Sequence, residues 1–316
     1  MKIYMKTAVS AFALALVAGA AYAAPATNGS VVSQYGRENK ANVTQLVVSA
    51  SSGVEQSGSK NTAIVLQKSS AAGAVSSISQ ESFNNRAEVT QAAAGVVSTV
   101  GQTGEKGQAT VVQSAKDAES SVSQRGSGST LTVDQSGEDA FSDHKQLGND
   151  LEAEVTQSAA GTVSYVEQVG MFNSITIGQS GAKASSDVNQ NGINNVITIS
   201  QVGEGAESDI SQTGDTNRIG LTQGGANAYS EIDAQDGQLN QADVDQSGDG
   251  ATSTIKQGGF KNTLRLEQTA NADSEITQTG SGGLVDVSQY VDGAYSNVTQ
   301  TGMGNSATVV QGSPSK

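Results

Sequence analysis

The 316-residue chain has no cysteine, no tryptophan, one histidine and two prolines. Each shortage excludes something. Without cysteine the chain, if exported, must hold together without disulfides. A lone His144 with no thiol and no second histidine makes neither a metal site nor a catalytic triad. Leu, Ile and Phe are sparse, and that composition alone would suit a disordered chain. Positive charge is short as well: 17 Lys+Arg against 31 Asp+Glu give −14, a sign that argues against a nucleic-acid or anionic-membrane partner. Proline occurs only at Pro25 and Pro314. Because proline cannot donate to a strand ladder, its absence in between fits continuous β-pairing.

What the chain has in quantity is a recurring glutamine. The periodic series has twenty-six members from Gln34 to Gln311, and twenty-two of their twenty-five intervals are eleven residues; the others are thirteen, twelve and ten. Alternate glutamines sit in different contexts, so the full repeat is about 22 residues in two strands. The first reads as in Ala206 to Gly214 (AESDISQTG) and the second as in Asn39 to Gln45 (NKANVTQ). Both alternate with period two, the mark of a strand with one dry face. Once a one-residue slip in the tenth repeat is allowed for, Ser stands four residues before the first-strand glutamine in all thirteen repeats. Two before it stands Val or Ile in twelve, with His144 as the exception. Disorder has no reason to hold such a register, whereas a fixed short period means one unit stacked on copies of itself.

The expected fold class is therefore all-β: a β-solenoid of about 13 two-strand coils, with 22-residue repeats built from 11-residue halves and stacked as cross-β structure. Inward amides should then lie above their copies, each donating to one neighbour and accepting from the other. The set comprises Gln34, Asn39, Gln45, Gln56, Asn61, Gln67, Gln168, Asn173, Gln179, Gln190, Asn195, Gln201, Gln212, Asn217, Gln223, Gln300, Asn305 and Gln311. Gly36, Gly58, Gly104, Gly126 and Gly214 follow first-strand glutamines and supply the positive φ of a tight arc. Two coils read as irregular. His144 should point inward between Val122 and Val166. In the tenth repeat the register puts Ala234, not Gln235, in the glutamine slot, with the extra residue absorbed in the turn. The thirteen-residue interval at Ser69 to Gly73 reads as a two-residue turn insertion.

Residues 1–23 read as a secretory signal: Lys2 and Lys6, an apolar stretch, then Ala21-Tyr22-Ala23, with cleavage between Ala23 and Ala24. Two lysines and no acids would leave with it, taking the net charge from −14 to −16. A short segment (24–29), thirteen repeats forming one solenoid (30–311) and a tail (312–316) complete the expected organisation. A soluble solenoid needs polar caps. None is evident beside the first or last repeat, so head-to-tail addition into an open filament is expected.

Strands such as Asn39 to Gln45, Asn217 to Gln223 and Asn305 to Gln311 resemble the curlin repeat, Asn-x-Ala-x-Ile/Val-x-Gln. The resemblance recurs in phase throughout the repeats. It implies a curli subunit, an extracellular functional amyloid of Gram-negative bacteria that serves biofilm matrix, adhesion and cell aggregation. It also implies a second curlin-like subunit, an outer-membrane secretion pore and accessory proteins as partners. Thirteen repeats favour a bulk fibre subunit; a surface-bound nucleator is the alternative.

Other readings are weaker. Asp243-x-Asp245-x-Ser247-Gly248 resembles the opening of a calcium loop, but Thr254 stands where such a loop needs its bidentate Glu. Glu152 and Glu154 lie two apart on an outward face, as charge for solubility rather than a catalytic pair. Phe83, Phe172 and Phe260 fall in turns and make no stacking platform for nucleic acid. A monomeric ice-binding or adhesive solenoid would need Thr at one outward position in coil after coil, and the slot before the second-strand glutamine is Thr only at Thr44, Thr90, Thr156 and Thr222. A β-helix enzyme needs a cleft built by long loops, which these turns are too short to form. No catalysis and no cofactor are expected.

Overall fold

The computed structural model describes residues 28–313, without the side chains of 234–236. The signal and its Ala23/Ala24 cleavage site, most of segment 24–29 and residues 314–316 of the tail lie outside the described residues. The chain is an all-β solenoid of about thirteen coils with a repeat of about 22 residues. It comprises two compact units, Met1–Ser158 and Ala159–Lys316.

In the first unit, β1 (Gly29–Arg37), β3 (Ser51–Ser59), β5 (Val75–Phe83), β7 (Val97–Glu105), β9 (Glu119–Ser127) and β11 (Phe141–Asn149) form a parallel sheet in that order. Between them in the chain, β2 (Lys40–Gln45), β4 (Thr62–Gln67), β6 (Arg86–Gln91), β8 (Gln108–Gln113), β10 (Thr130–Gln135) and β12 (Glu152–Gln157) form the other. Six coils result. The second unit has seven coils on the same plan. Its odd strands are β13 (Val163–Met171), β15 (Ser185–Ile193), β17 (Glu207–Asp215), β19 (Tyr229–Gln238), β21 (Thr252–Phe260), β23 (Ala272–Ser281) and β25 (Ala294–Met303). Its even strands are β14 (Ser174–Gln179), β16 (Val196–Gln201), β18 (Arg218–Gln223), β20 (Gln241–Gln246), β22 (Thr263–Gln268), β24 (Leu284–Gln289) and β26 (Ser306–Gln311).

Alternation decides which face is buried. In β9, Ser120, Val122 and Gln124 are buried, while Glu119, Ser123 and Arg125 are exposed. The first unit's core is mainly Ala and Val, as in Ala87, Val89, Ala109 and Val111. That of the second unit is heavier, with Ile175, Ile177, Ile197, Ile199, Ile219 and Leu221 fully buried. Each such aliphatic side chain contributes roughly 1.5–3 kcal/mol by burial. No coil supplies that alone, because its inner face is closed by the coils beside it.

Two kinds of arc join the strands. At the end of most odd strands, where the chain bends into the first arc, the residue two past the glutamine is Gly at positive φ, for example Gly36 (108°), Gly58 (103°), Gly104 (130°), Gly126 (140°) and Gly214 (113°). The reason is close approach as well as conformation: a Cβ on Gly126 would lie 1.7 Å from the carbonyl oxygen of Gly148 in the next coil. Ser82 takes the same slot at φ 80°. The arcs after β2, β4, β6, β8 and β10 are lined by buried Ala and Val, such as Ala50, Ala74, Val96, Ala118 and Ala140, which pack in a column of their own. The seven residues between β4 and β5, where β6 and β7 are joined by five, hold the two-residue insertion.

Candidate functional site

The columns of inward amides are the chemically distinctive part of this fold. In the first unit's odd strands, Gln34 Nε2 donates to Gln56 Oε1 (2.7 Å), Gln56 to Gln80 (2.8 Å), Gln80 to Gln102 (2.7 Å), Gln102 to Gln124 (2.8 Å) and Gln124 to Gln146 (2.8 Å). The even strands repeat this from Gln45 to Gln67 (2.8 Å) and on to Gln157. In the second unit the even column is unbroken from Gln179 through Gln201 and Gln223 to Gln311. The odd column runs Gln168 to Gln190 (3.1 Å) to Gln212 (2.9 Å), and again from Gln257 to Gln300.

All these bonds point one way. Nε2 of the earlier coil donates and Oε1 of the later coil accepts. The second hydrogen of most of these amides goes to backbone: Gln67 donates to the Ser51 carbonyl (3.0 Å) and the Ala74 carbonyl (3.2 Å). Buried amides are thereby satisfied, where an unpaired one would cost several kcal/mol.

The asparagines differ from the expected side-chain column. Asn61 Nδ2 donates to the Ser57 carbonyl (3.0 Å) and to the Ser82 carbonyl of the next coil (3.1 Å), while its Oδ1 accepts from the Asn85 backbone N–H (2.9 Å). Asn39, Asn173, Asn195 and Asn217 bond in the same pattern. One methylene shorter than glutamine, asparagine reaches the arc rather than its own copy. It therefore staples the first arc coil to coil. Asn305 Nδ2 donates to the Thr301 carbonyl. The slot holds Gly107, Ser129 and Leu151 in the last three coils of the first unit, where Ser129 Oγ accepts the Leu151 N–H (3.3 Å). The second arc needs no asparagine, because the even-strand glutamine itself reaches the carbonyl five residues on, as Gln113 does with Ala118 (3.0 Å). Counting five residues forward from each glutamine would have shown Asn in one arc and Ala in the other.

The two irregular coils differ in kind. His144 pairs opposite Val122 and is 1% exposed, with neither ring nitrogen hydrogen-bonded among the described residues. Burial drives its pKa down to about 3. Ala234 lies opposite Gln212 in the backbone register. The extra residue is taken up inside β19 and not in the turn: Gln212 pairs with Ala234 and Gly214 with Gly237, so two residues face Thr213 alone, a β-bulge. Directly after it, Leu239 must enter the arc at positive φ (59°) in register with its copies, which leaves no slack there. Above Ala234 the amide column stops, and Gln212 Nε2 is buried without a hydrogen-bond partner among the described residues.

Asp243 faces Arg265 one coil along and accepts from Gln241 Nε2 (2.6 Å). Among the described residues no group of three or more His, Cys, Asp or Glu is placed to hold a metal ion.

Residues 148–181 match the family model of the curlin associated repeat. That span holds β12, β13 and β14, with the Gln-x-Gly arc at Gln168-Val169-Gly170 and its staple Asn173. No curated protein matches the chain. The curlin repeat and the β-solenoid fold together fit a curli-like structural subunit.

Proposed function

We propose that the chain is a secreted structural subunit that adds head to tail to copies of itself, forming a curli-like extracellular amyloid fibre for biofilm matrix, adhesion and cell aggregation. The observation that carries this is the one-way bonding of the coils. Each coil offers Oε1 acceptors toward the coil before it and N–H donors toward the coil after it, so a coil's leading face complements the trailing face of any copy. Among the described residues, β25 pairs only with β23 and β26 only with β24. In β26, Ala307, Val309 and Gln311 are half-buried where their copies are fully buried. Such strand edges invite another copy, and a translation that does not close gives a filament. In the joint, Gln300 would donate to Gln34, and Gln311 to Gln45.

Export by the signal at residues 1–23, a bulk rather than nucleating role, an outer-membrane pore with accessory proteins and a second curlin-like subunit belong to the same proposal. So does a structural rather than enzymatic role. Residues 24–316, purified and incubated, should bind an amyloid dye and give fibre reflections near about 4.7 and 10 Å. A stable, dye-negative monomer after days at high concentration would overturn the proposal.

A further inference from the structure

The outer face of the odd strands in the first unit has a pattern that end-to-end growth does not use. In β5, β7 and β9 its middle is small and neutral: Ser77 and Ser79, Thr99 and Gly101, Ser121 and Ser123, aligned coil on coil. In these three strands charge stands at the margins, with Glu119 at one edge of β9 and Arg125 at the other, while the flanking β3 and β11 carry Glu55, Asp143 and Lys145 in the middle. In the second unit the corresponding face carries Asp187, Glu207, Asp209 and Glu231 instead.

We propose that this first-unit face binds the same face of a second copy, across a two-fold axis parallel to the direction in which the coils stack. Such an axis sets each strand against its own copy, running the opposite way. The first outward residue of a strand then meets the fourth, and the second meets the third. Glu119 meets Arg125 of the second copy, and Arg125 meets its Glu119. In β11 the same operation opposes Asp143 to Lys145 and Phe141 to Leu147. Between these rows Ser77 meets Ser79, Thr99 meets Gly101 and Ser121 meets Ser123. Side chains this small let two sheets interdigitate closely, as in a dry steric zipper.

A two-fold axis along the strands, centred on β7, also pairs charges, placing Arg125 on Glu81 and Lys145 on Glu55. It sets Phe141 on Ser51, Leu147 on Ser57 and Val75 on Glu119, however, whereas the stack-parallel axis sets Phe141 on Leu147, with Val75 against Glu81. Five strands about 4.8 Å apart and seven residues at about 3.3 Å give roughly 550 Å² per copy. The total of about 1,100 Å² clears the roughly 1,000 Å² that a specific interface needs. A copy is the fitting partner because the face is complementary to itself. Elsewhere, acidic copies repel each other.

The test is sedimentation equilibrium of freshly purified residues 24–316, with the fold of each variant checked by circular dichroism. Wild type should self-associate. Arg125→Glu, at an exposed position, should weaken that association about tenfold or more, since like charges then face each other twice. Adding Glu119→Arg should restore it to within about threefold. A monomeric wild type, an Arg125→Glu variant that associates normally, or rescue by Glu81→Arg in place of Glu119→Arg would each overturn the proposal. Fibre growth is followed separately by dye binding. Dimers joined end to end would not respond to Arg125, so failure of the fibre reading and failure of this one are distinguishable.

Discussion

Strand β11 keeps the register and carries a misfit side chain; strand β19 carries the expected Ser230 and Ile232, both buried, and then loses the register. In β11 the backbone pairs residue for residue with β9, and the misfit falls on the two unpartnered ring nitrogens of His144. In β19 the bulge opens after Ala234, yet pairing resumes at Gly237 with both neighbours, β17 and β21. There the misfit falls on the amide of Gln212. The even column is undisturbed in the same coil, where Gln223 still donates to Gln246 at 3.1 Å. The backbone ladder therefore sets the stack. Side-chain columns run through it independently, so an error in one stays in that column.

That independence can be tested first where nothing is irregular. Gln201 accepts from Gln179 (2.9 Å) and donates to Gln223 (2.9 Å) and to the Ser185 (2.8 Å) and Ala206 (3.2 Å) carbonyls. Gln201→Ala removes all of these, strands an acceptor on Gln223 and leaves a cavity in a dry interior. A loss of about 3–5 kcal/mol is expected in denaturant unfolding of the unpolymerised chain. A loss below about 1 kcal/mol would mean that the column is ornament on the backbone ladder.

Most of this architecture was legible because one residue type marks one place. A glutamine every eleven residues, with Ser four before every second one, can satisfy period two only as stacked strands, so the two-strand coils could be read directly, and the backbone register opposes Ala234 to Gln212. Asn61 was harder. Its spacing shows that it begins a strand, but only the path of the arc shows that backbone groups of the next coil lie nearer than the next asparagine. The bulge in β19 was illegible for a similar reason: sequence counts an extra residue without saying whether turn or strand has room for it. Nor does residue order reveal the outward self-complementarity of Glu119 and Arg125, which needs a symmetry axis.

The misfit in β11 predicts a pH effect with a definite sign. His144 has its pKa lowered from 6.5 to about 3 in the folded chain by burial. The unfolded chain thus takes up a proton below pH 6.5, and the folded chain does so only near 3. Stability is lost as pH falls through that window, by about 2 kcal/mol at pH 5. His144→Val, close in volume and matching the other coils, should be more stable than wild type at pH 7. It should also lack the added loss between pH 7 and 5. An unchanged pH profile in the variant would show that His144 is not the group responsible.

Repairing the register in β19 should give the smallest effect of the three. Deleting Ala234 moves Gln235 into the vacant slot and leaves Gly237 two residues later, restoring Gln-x-Gly without altering Ser230 or Ile232. Gln212 then gains an acceptor and the bulge is removed, so a gain of about 1 kcal/mol in unfolding free energy is expected. Ala234→Gln separates the two causes, since it fills the slot and keeps the extra residue. If that substitution recovers the whole gain, the amide column alone was at fault. If only the deletion does, the bulged backbone carried the penalty, and the ladder is less tolerant of insertions than the resumed pairing at Gly237 implies.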